Sequence, residues 1–278
     1  MDVSAYNTLN STLNNSSLSN NTNSANSLNS VNERLTSGSQ VNQAADNPAT
    51  LAIITALSTQ ADAQDVASRN ANSGIGLLQT ADGASEAIAY SLQRMNELSL
   101  QSMNGTLSSG QRSALNQEFQ QSLESINQIS EGTQFNGEVL LSGDLNGDAT
   151  NLEIALGDTS SALLSLPNLT ADGLNLGGLN ISNPASATLA LEGIGLALEQ
   201  VGNARSQFGA QQNSLSSAID NLQNQNVNTL STRSQLNDTD IARASAEQSR
   251  LNILNESSIA LMSQGNQSKS SVLQLLGT

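Results

Sequence analysis

The chain has 278 residues, with 9 Lys+Arg against 24 Asp+Glu and no His, Cys or Trp. A net charge of −15 opposes a sequence-independent grip on nucleic acid or on an anionic membrane surface. The missing His and Cys remove Ser-His-Asp and Cys-His nucleophiles and every His- or Cys-based zinc site.

Aromatic residues are 2% and charged residues 12% of the chain, so any core is aliphatic and any exposed face is mostly Asn, Ser and Gln. Met1-Asp2-Val3-Ser4-Ala5-Tyr6-Asn7 lacks the basic and apolar regions of a cleaved secretory signal. No stretch approaches the roughly 18 apolar residues of a membrane span, so no membrane insertion is expected.

The prolines are Pro48, Pro167 and Pro184, which leaves long stretches in which helices can run unbroken. In the first, Tyr6, Leu9 and Leu13, then Ala25, Leu28, Val31 or Asn32, and Leu35 recur at spacings of three, four and seven. Between them lie Asn14 to Ser17 and Ser19 to Ser24, each roughly 0.5 kcal/mol worse than Ala in a helix, so this helix is marginal alone. Ser37-Gly38-Ser39 ends it, and Asp46-Asn47-Pro48 supplies a cap and a first-turn proline for the next.

A long second helix carries the heptad Leu78, Ala81, Ser85, Ile88, Leu92, Met95 and Ser99, a pattern that packs against another long helix. Gly105 and Gly110 are expected to end it. A third helix presents Leu115, Phe119, Ser122, Ile126 and Ile129 and stops near Gly132.

From about residue 134 the period becomes two. Asn136-Gly137 predicts a hairpin, followed by Val139-Leu140-Leu141, by Leu152, Ile154 and Leu156, and by Leu174, Leu176, Leu179 and Ile181. Hairpins are therefore expected over about 134–183. Asp144-Leu145-Asn146-Gly147-Asp148 begins like a calcium loop, but Ala149 replaces the glycine and Ala155 the bidentate Glu, so a turn is expected.

Helical period returns after Pro184, through Val201, Ala204, Phe208, Gln211, Leu215, Ala218, Leu222, Gln225, Thr229, Thr232 and Leu236. Asn237-Asp238-Thr239-Asp240 caps a last helix with Ile241, Ala244, Gln248, Leu251, Leu254, Ser258, Leu261, Gly265, Ser268, Val272 and Leu275 on one line. The fold class expected is mainly α, with long antiparallel coiled-coil helices from both chain ends and a small β-hairpin region in the middle.

Terminal stripes this narrow must be buried. Burying one Leu returns about 1.5–3 kcal/mol, while ordering a residue costs about 1–2 kcal/mol, so a single pairwise seam barely breaks even. Two arrangements satisfy the pattern: an ordinary intramolecular antiparallel bundle, or chain ends that become ordered on assembly with other copies.

The segment Asn42-Gln43-Ala44-Ala45-Asp46-Asn47-Pro48-Ala49-Thr50-Leu51-Ala52-Ile53 resembles the bacterial flagellins, as does Arg69-Asn70-Ala71-Asn72-Ser73-Gly74-Ile75-Gly76-Leu77-Leu78-Gln79-Thr80-Ala81-Asp82-Gly83-Ala84. Leu92-Gln93-Arg94-Met95-Asn96-Glu97-Leu98, Gln134-Phe135-Asn136-Gly137 and Ser271-Val272-Leu273-Gln274-Leu275-Leu276 follow in the family's order. The resemblance covers the chain outside about 144–188. It implies a terminal coiled-coil inner-tube domain at 1–43 and 236–278, and a shell domain at 44–235 without the family's larger outer domains.

The implied function is a non-enzymatic structural subunit, exported and self-polymerising into the extracellular flagellar filament for motility, with no cofactor and no metal. Its implied assembly interface is Tyr6, Leu9, Leu13, Leu28, Val31, Leu35, Leu251, Leu254, Leu261, Val272 and Leu275. Implied partners are other flagellin subunits, the filament cap and hook–filament junction proteins, an export chaperone and the type III export apparatus. An innate immune Toll-like receptor is implied through Arg94, Leu98 and Glu118, although Asn96 stands where the family's run carries a second basic residue.

A hook–filament junction protein and a surface adhesion or receptor-binding module are the alternatives. Asp62 with Asp65, Glu118 with Glu124, and Lys269 beside Ser268, Ser270 and Ser271 could be drawn as acid/base or Ser-Lys pairs, but their helical setting predicts ordinary surface residues.

Overall fold

The computed structural model describes residues 3–143, 151–157 and 160–276; the calcium-like segment from Asp144 lies outside the described residues up to position 150. Five helices are present among them: α1 Val3–Ser37, α2 Pro48–Ser102, α3 Ser109–Gly132, α4 Pro184–Asn237 and α5 Ile241–Leu276. Two antiparallel strand pairs lie between α3 and α4: β1 Gln134–Phe135 with β2 Glu138–Val139, and β3 Asn151–Ala155 with β4 Ser161–Ser165. By internal contacts the chain divides into two units, one of residues 1–59 and 228–278, the other of residues 60–227.

In the first unit α1 and α5 pair. Gln248 donates to Asn32 Oδ1 at 2.6 Å and Ser258 to Asn21 Oδ1 at 3.0 Å, so numbers rise along one helix as they fall along the other. The helices are antiparallel. In the hydroxyl-rich run of α1, Thr12, Ser16 and Thr22 each donate to the carbonyl four residues back at 2.9 Å, which satisfies the hydroxyls without adding to the helix's stability.

Gly38, at φ +70°, ends α1 in the left-handed region that costs glycine nothing. Thr239 N–H donates to Gly38 O and Gln40 N–H to Asn237 O, joining the two loops. Asn47 caps α2 by accepting from Thr50 N–H at 3.1 Å, with Pro48 as its first residue. Asp240 caps α5 through Arg243 N–H at 3.1 Å.

The second unit holds the main core. Leu78, Ala81, Ile88, Leu92 and Met95 are fully buried together with Ser85 and Ser99, so every member of the α2 heptad faces inward. The two serines spend their hydroxyls within the helix, on Ala81 O at 2.7 Å and Met95 O at 2.8 Å. Phe119 and Ile126 of α3, and Ile194, Val201 and Phe208 of α4, close on the same core. The α2 helix ends at Ser102, before Gly105. Gly110 is the second residue of α3, whose start is set by the reciprocal Ser108–Gln111 capping box.

Asn136 and Gly137, at φ +53° and +87°, form the two-residue turn of β1–β2, with Phe135 opposite Glu138. In β3, Leu152 and Ile154 alternate with the exposed Asn151, Glu153 and Ala155. Leu174, Leu176, Leu179 and Ile181 are not in a strand, contrary to their period of two. Their segment is held by side chains instead: Ala171 N–H donates to Asn127 Oδ1, Ile181 N–H to Asn116 Oδ1, and Gln120 Nε2 to Leu179 O. With backbone groups satisfied by α3, the leucines are packed without a ladder partner.

The inward line of α4 also drifts from the expected one. Gln225 and Thr232 are exposed, while Ile219, Asn226 and Arg233 turn inward. A straight α-helix moves about 20° per heptad off a strict seven-residue repeat, which is enough to exchange neighbouring positions over this length.

Candidate assembly surface

Of the eleven aliphatic and aromatic positions at the chain ends, six have described side chains, and these separate into two groups. Val31 is 8% and Leu251 6% exposed, with Leu28 and Leu35 half-buried; they form the α1–α5 seam. Leu254 and Leu261 are 46% and 68% exposed. The side chains of Tyr6, Leu9, Leu13, Val272 and Leu275 lie outside the described residues, as does that of Lys269.

The α5 seam continues from Leu251 through the half-buried Asn255, Ser258 and Met262 rather than through Leu254 and Leu261. At about 100° per residue, Leu254 and Leu261 sit roughly 60–80° to one side of Leu251, and Ile241 and Ile259 about 80° to the other. Ile253 points away from it. The seam thus takes Gln248, Asn255 and Ser258 inward, while Ile241, Ile253, Leu254, Ile259 and Leu261 stay open. Each would return about 1.5–3 kcal/mol if covered, against about 1 kcal/mol for each polar rung of the seam.

Arg94, Leu98 and Glu118 belong to the second unit. Arg94 Nε donates to Glu118 Oε1 at 3.0 Å and its Nη1 to Glu97 Oε2 at 3.0 Å, holding α2 against α3 at the surface. Glu118 first, then Glu97, raise the Arg94 pKa through these hydrogen bonds. Leu98 is fully buried in the core beneath them. The structure brings the Arg and Glu together on the surface and places the Leu behind it.

Charges that the sequence patterns did not single out also cross between helices. Arg205 of α4 meets Asp82 and Glu86 of α2. Asn226 donates to Ala61 O and Asp65 Oδ1, both at 3.0 Å. An Asn or Arg that breaks an apolar line opposite a helix bearing acids was the signal available for them. On α5, Arg250 pairs with Glu247 and lowers its pKa by hydrogen bonding. Among the described residues no group of three or more Asp, Glu, His or Cys gathers where a metal could bind.

The family model for the bacterial flagellin N-terminal helical region matches residues 7–145, and that for the C-terminal helical region residues 191–276. A flagellin of Halalkalibacterium halodurans is 37% identical over 88% of this chain and 90% of its own length. The crystal structure of Bacillus cereus flagellin is 29% identical, with a TM-score of 0.50 over 55% of this chain and 88% of that one. A putative flagellar hook-associated protein from Vibrio parahaemolyticus shares the fold, with a TM-score of 0.59 over 69% of this chain and all of that one, at 16% identity.

Proposed function

The chain belongs to the bacterial flagellins, structural subunits that self-polymerise into the extracellular flagellar filament, and from that premise we propose how its terminal helices make the polymer. The observation that carries the proposal is the row of open aliphatic side chains on α5 beside a polar seam. Neighbouring copies cover Leu254 and Leu261, while Leu28, Val31, Leu35 and Leu251 keep α1 on α5. Tyr6, Leu9, Leu13, Val272 and Leu275 extend the same interface toward both chain ends. On this reading residues 1–43 and 236–278 form the inner tube and 44–235 the shell.

The route to the filament follows from the same physics. A narrow export channel requires an unfolded chain, and a cysteine-free sequence with marginal end helices offers little resistance to unfolding. Export through the type III apparatus, a chaperone that covers the open face of α5 beforehand, and contacts with the cap and hook–filament junction proteins complete the partners. Arg94 and Glu118 form the surface offered to a Toll-like receptor, with Leu98 supporting it from below. We assign no catalytic role.

Electron microscopy of the full-length chain mixed with short flagellar seeds tests the reading. Long helical filaments are expected, and deletion of residues 1–35 should abolish elongation while the helical signal of residues 60–227 persists. Seeds that are capped but never lengthen would identify a junction protein. Seeds left unchanged would move the function to surface adhesion.

A further inference from the structure

In the second unit, α2 and α4 leave between them a groove of about 610 Å³ lined by Gln64, Asp65, Arg69, Gln223, Asn226 and Val227. We propose that this groove receives a carboxamide side chain, Asn or Gln, from a neighbouring copy of the chain. The proposal rests on the filament reading and adds a specific seat to it.

Gln64 is only 7% exposed, and its Oε1 has no hydrogen-bond partner. An unpaired buried acceptor is costly, so it marks a place where a donor is missing. Its neighbours are already committed: Asn226 Nδ2 serves Ala61 O and Asp65 Oδ1, and Arg69 Nε donates to Asp65 O at 3.4 Å. What remains unpaired is the buried Gln64 Oε1 and the second Asp65 oxygen as acceptors, and the terminal N–H groups of Arg69 as donors. The χ3 torsion of Gln is broad, so the amide of Gln64 can turn its oxygen to the groove without moving α2.

A carboxamide fits this set, since one planar head carries two N–H donors for the oxygens and a carbonyl for Arg69. A carboxylate would face two acceptors with no proton to give. An ammonium group would meet the oxygens but leave Arg69 opposed. A second copy supplies the right chemistry: the chain has a single Lys and is rich in Asn and Gln along its exposed helices. Val227, 65% exposed at the rim, adds apolar area that such a neighbour covers.

Full-length Gln64→Met keeps the side-chain volume and deletes the acceptor. Seeded elongation should then need a subunit concentration about tenfold higher, equivalent to about 1.4 kcal/mol, while the thermal midpoint of the free subunit stays level or rises. Elongation at the wild-type concentration would overturn the proposal. Because the chain has no cysteine, Gln223→Cys gives a single maleimide target at the groove. Its labelling should slow at least tenfold in filaments relative to free subunits, and equal labelling would also overturn the proposal, even if Gln64→Met failed to fold. Failure of the wild type itself to elongate seeds would instead refute the filament reading on which the seat depends.

Discussion

Arg205 of α4 places Nε 2.7 Å from Asp82 Oδ1 of α2, directly beside the tightly packed Ala81 and Ala204. Both alanines are buried, and the ion pair ties α4 to α2 at the surface next to them. Both charged side chains remain over one-third exposed, so solvent screens most of their attraction. Arg205→Ala is expected to cost no more than about 1 kcal/mol, whereas Leu92→Ala, ten residues further along α2 and fully buried, costs about 2–5 kcal/mol. Denaturant unfolding of the two variants checks the order; a larger loss from Arg205→Ala would mean that the pair, not the aliphatic core, holds the shell together.

Asp46 governs the turn before α2. Its Oδ2 accepts from Asn42 N–H and Gln43 N–H, each at 3.0 Å, and these bonds, with Arg34 adding attraction, hold its pKa below the ordinary carboxylate value. A lowered folded pKa means that the carboxylate contributes stability above the unfolded value near 4, and that this is lost as pH falls through the folded value. An NMR titration should therefore place the Asp46 midpoint below that of an ordinary aspartate, with the Asn42 and Gln43 amide signals moving together with it. In Asp46→Asn those amide signals should stop responding to acid. A midpoint at or above the ordinary value would show that the turn does not use the charge.

Gly74 of α2 lies against Leu215 of α4 and against the β3–β4 hairpin. A Cβ there would meet Leu215 Cδ1 at 3.1 Å, Ile154 Cγ1 at 3.5 Å and Leu164 Cδ1 at 3.6 Å. Ala gains about 1 kcal/mol of helix propensity against a contact that the flexible Leu215 can relieve, so Gly74→Ala should be close to neutral. Gly74→Leu has nowhere to place its branch and should cost about 1–3 kcal/mol in equilibrium unfolding. A neutral Gly74→Leu would mean that the hairpin is not seated on α2 in solution.

The parts of the fold that could be read from residue order are those in which one local rule decides. The α2 heptad from Leu78 to Ser99 is wholly buried, and Asn136-Gly137 makes its turn, because side-chain period and positive φ are properties of a few neighbouring residues. The segment from Leu174 to Ile181 misled because its alternation reflects burial alone; the groups that replace a strand partner are Asn116, Gln120 and Asn127, 44 to 65 positions away. On α5 the apolar residues were visible but not their division. Only pairing with Asn21 and Asn32 reveals that Leu251 faces α1 and Leu254 does not. Gln64 was illegible for the same reason, since an unpaired oxygen is a property of its surroundings.

That division on α5 gives the most direct test of assembly. Leu254 and Leu261 contribute little to the seam within one chain, so replacing both with Ser should leave the thermal midpoint of the free subunit within the effect of an ordinary surface change, about 0.5 kcal/mol. The same pair, covered by neighbouring copies, would forfeit about 3–6 kcal/mol per subunit, and seeded elongation should cease. Leu251→Ser is the contrasting variant: buried against α1, it should lower the stability of the α1–α5 pair as well as elongation. Because the covered groups are aliphatic, shortening the Debye length from about 10 Å to about 3 Å with added salt should change the wild-type elongation threshold less than about twofold. A steep salt dependence, or normal filaments from the double Ser variant, would transfer the interface from this aliphatic row to charged side chains of α5 such as Arg243, Glu247 and Arg250.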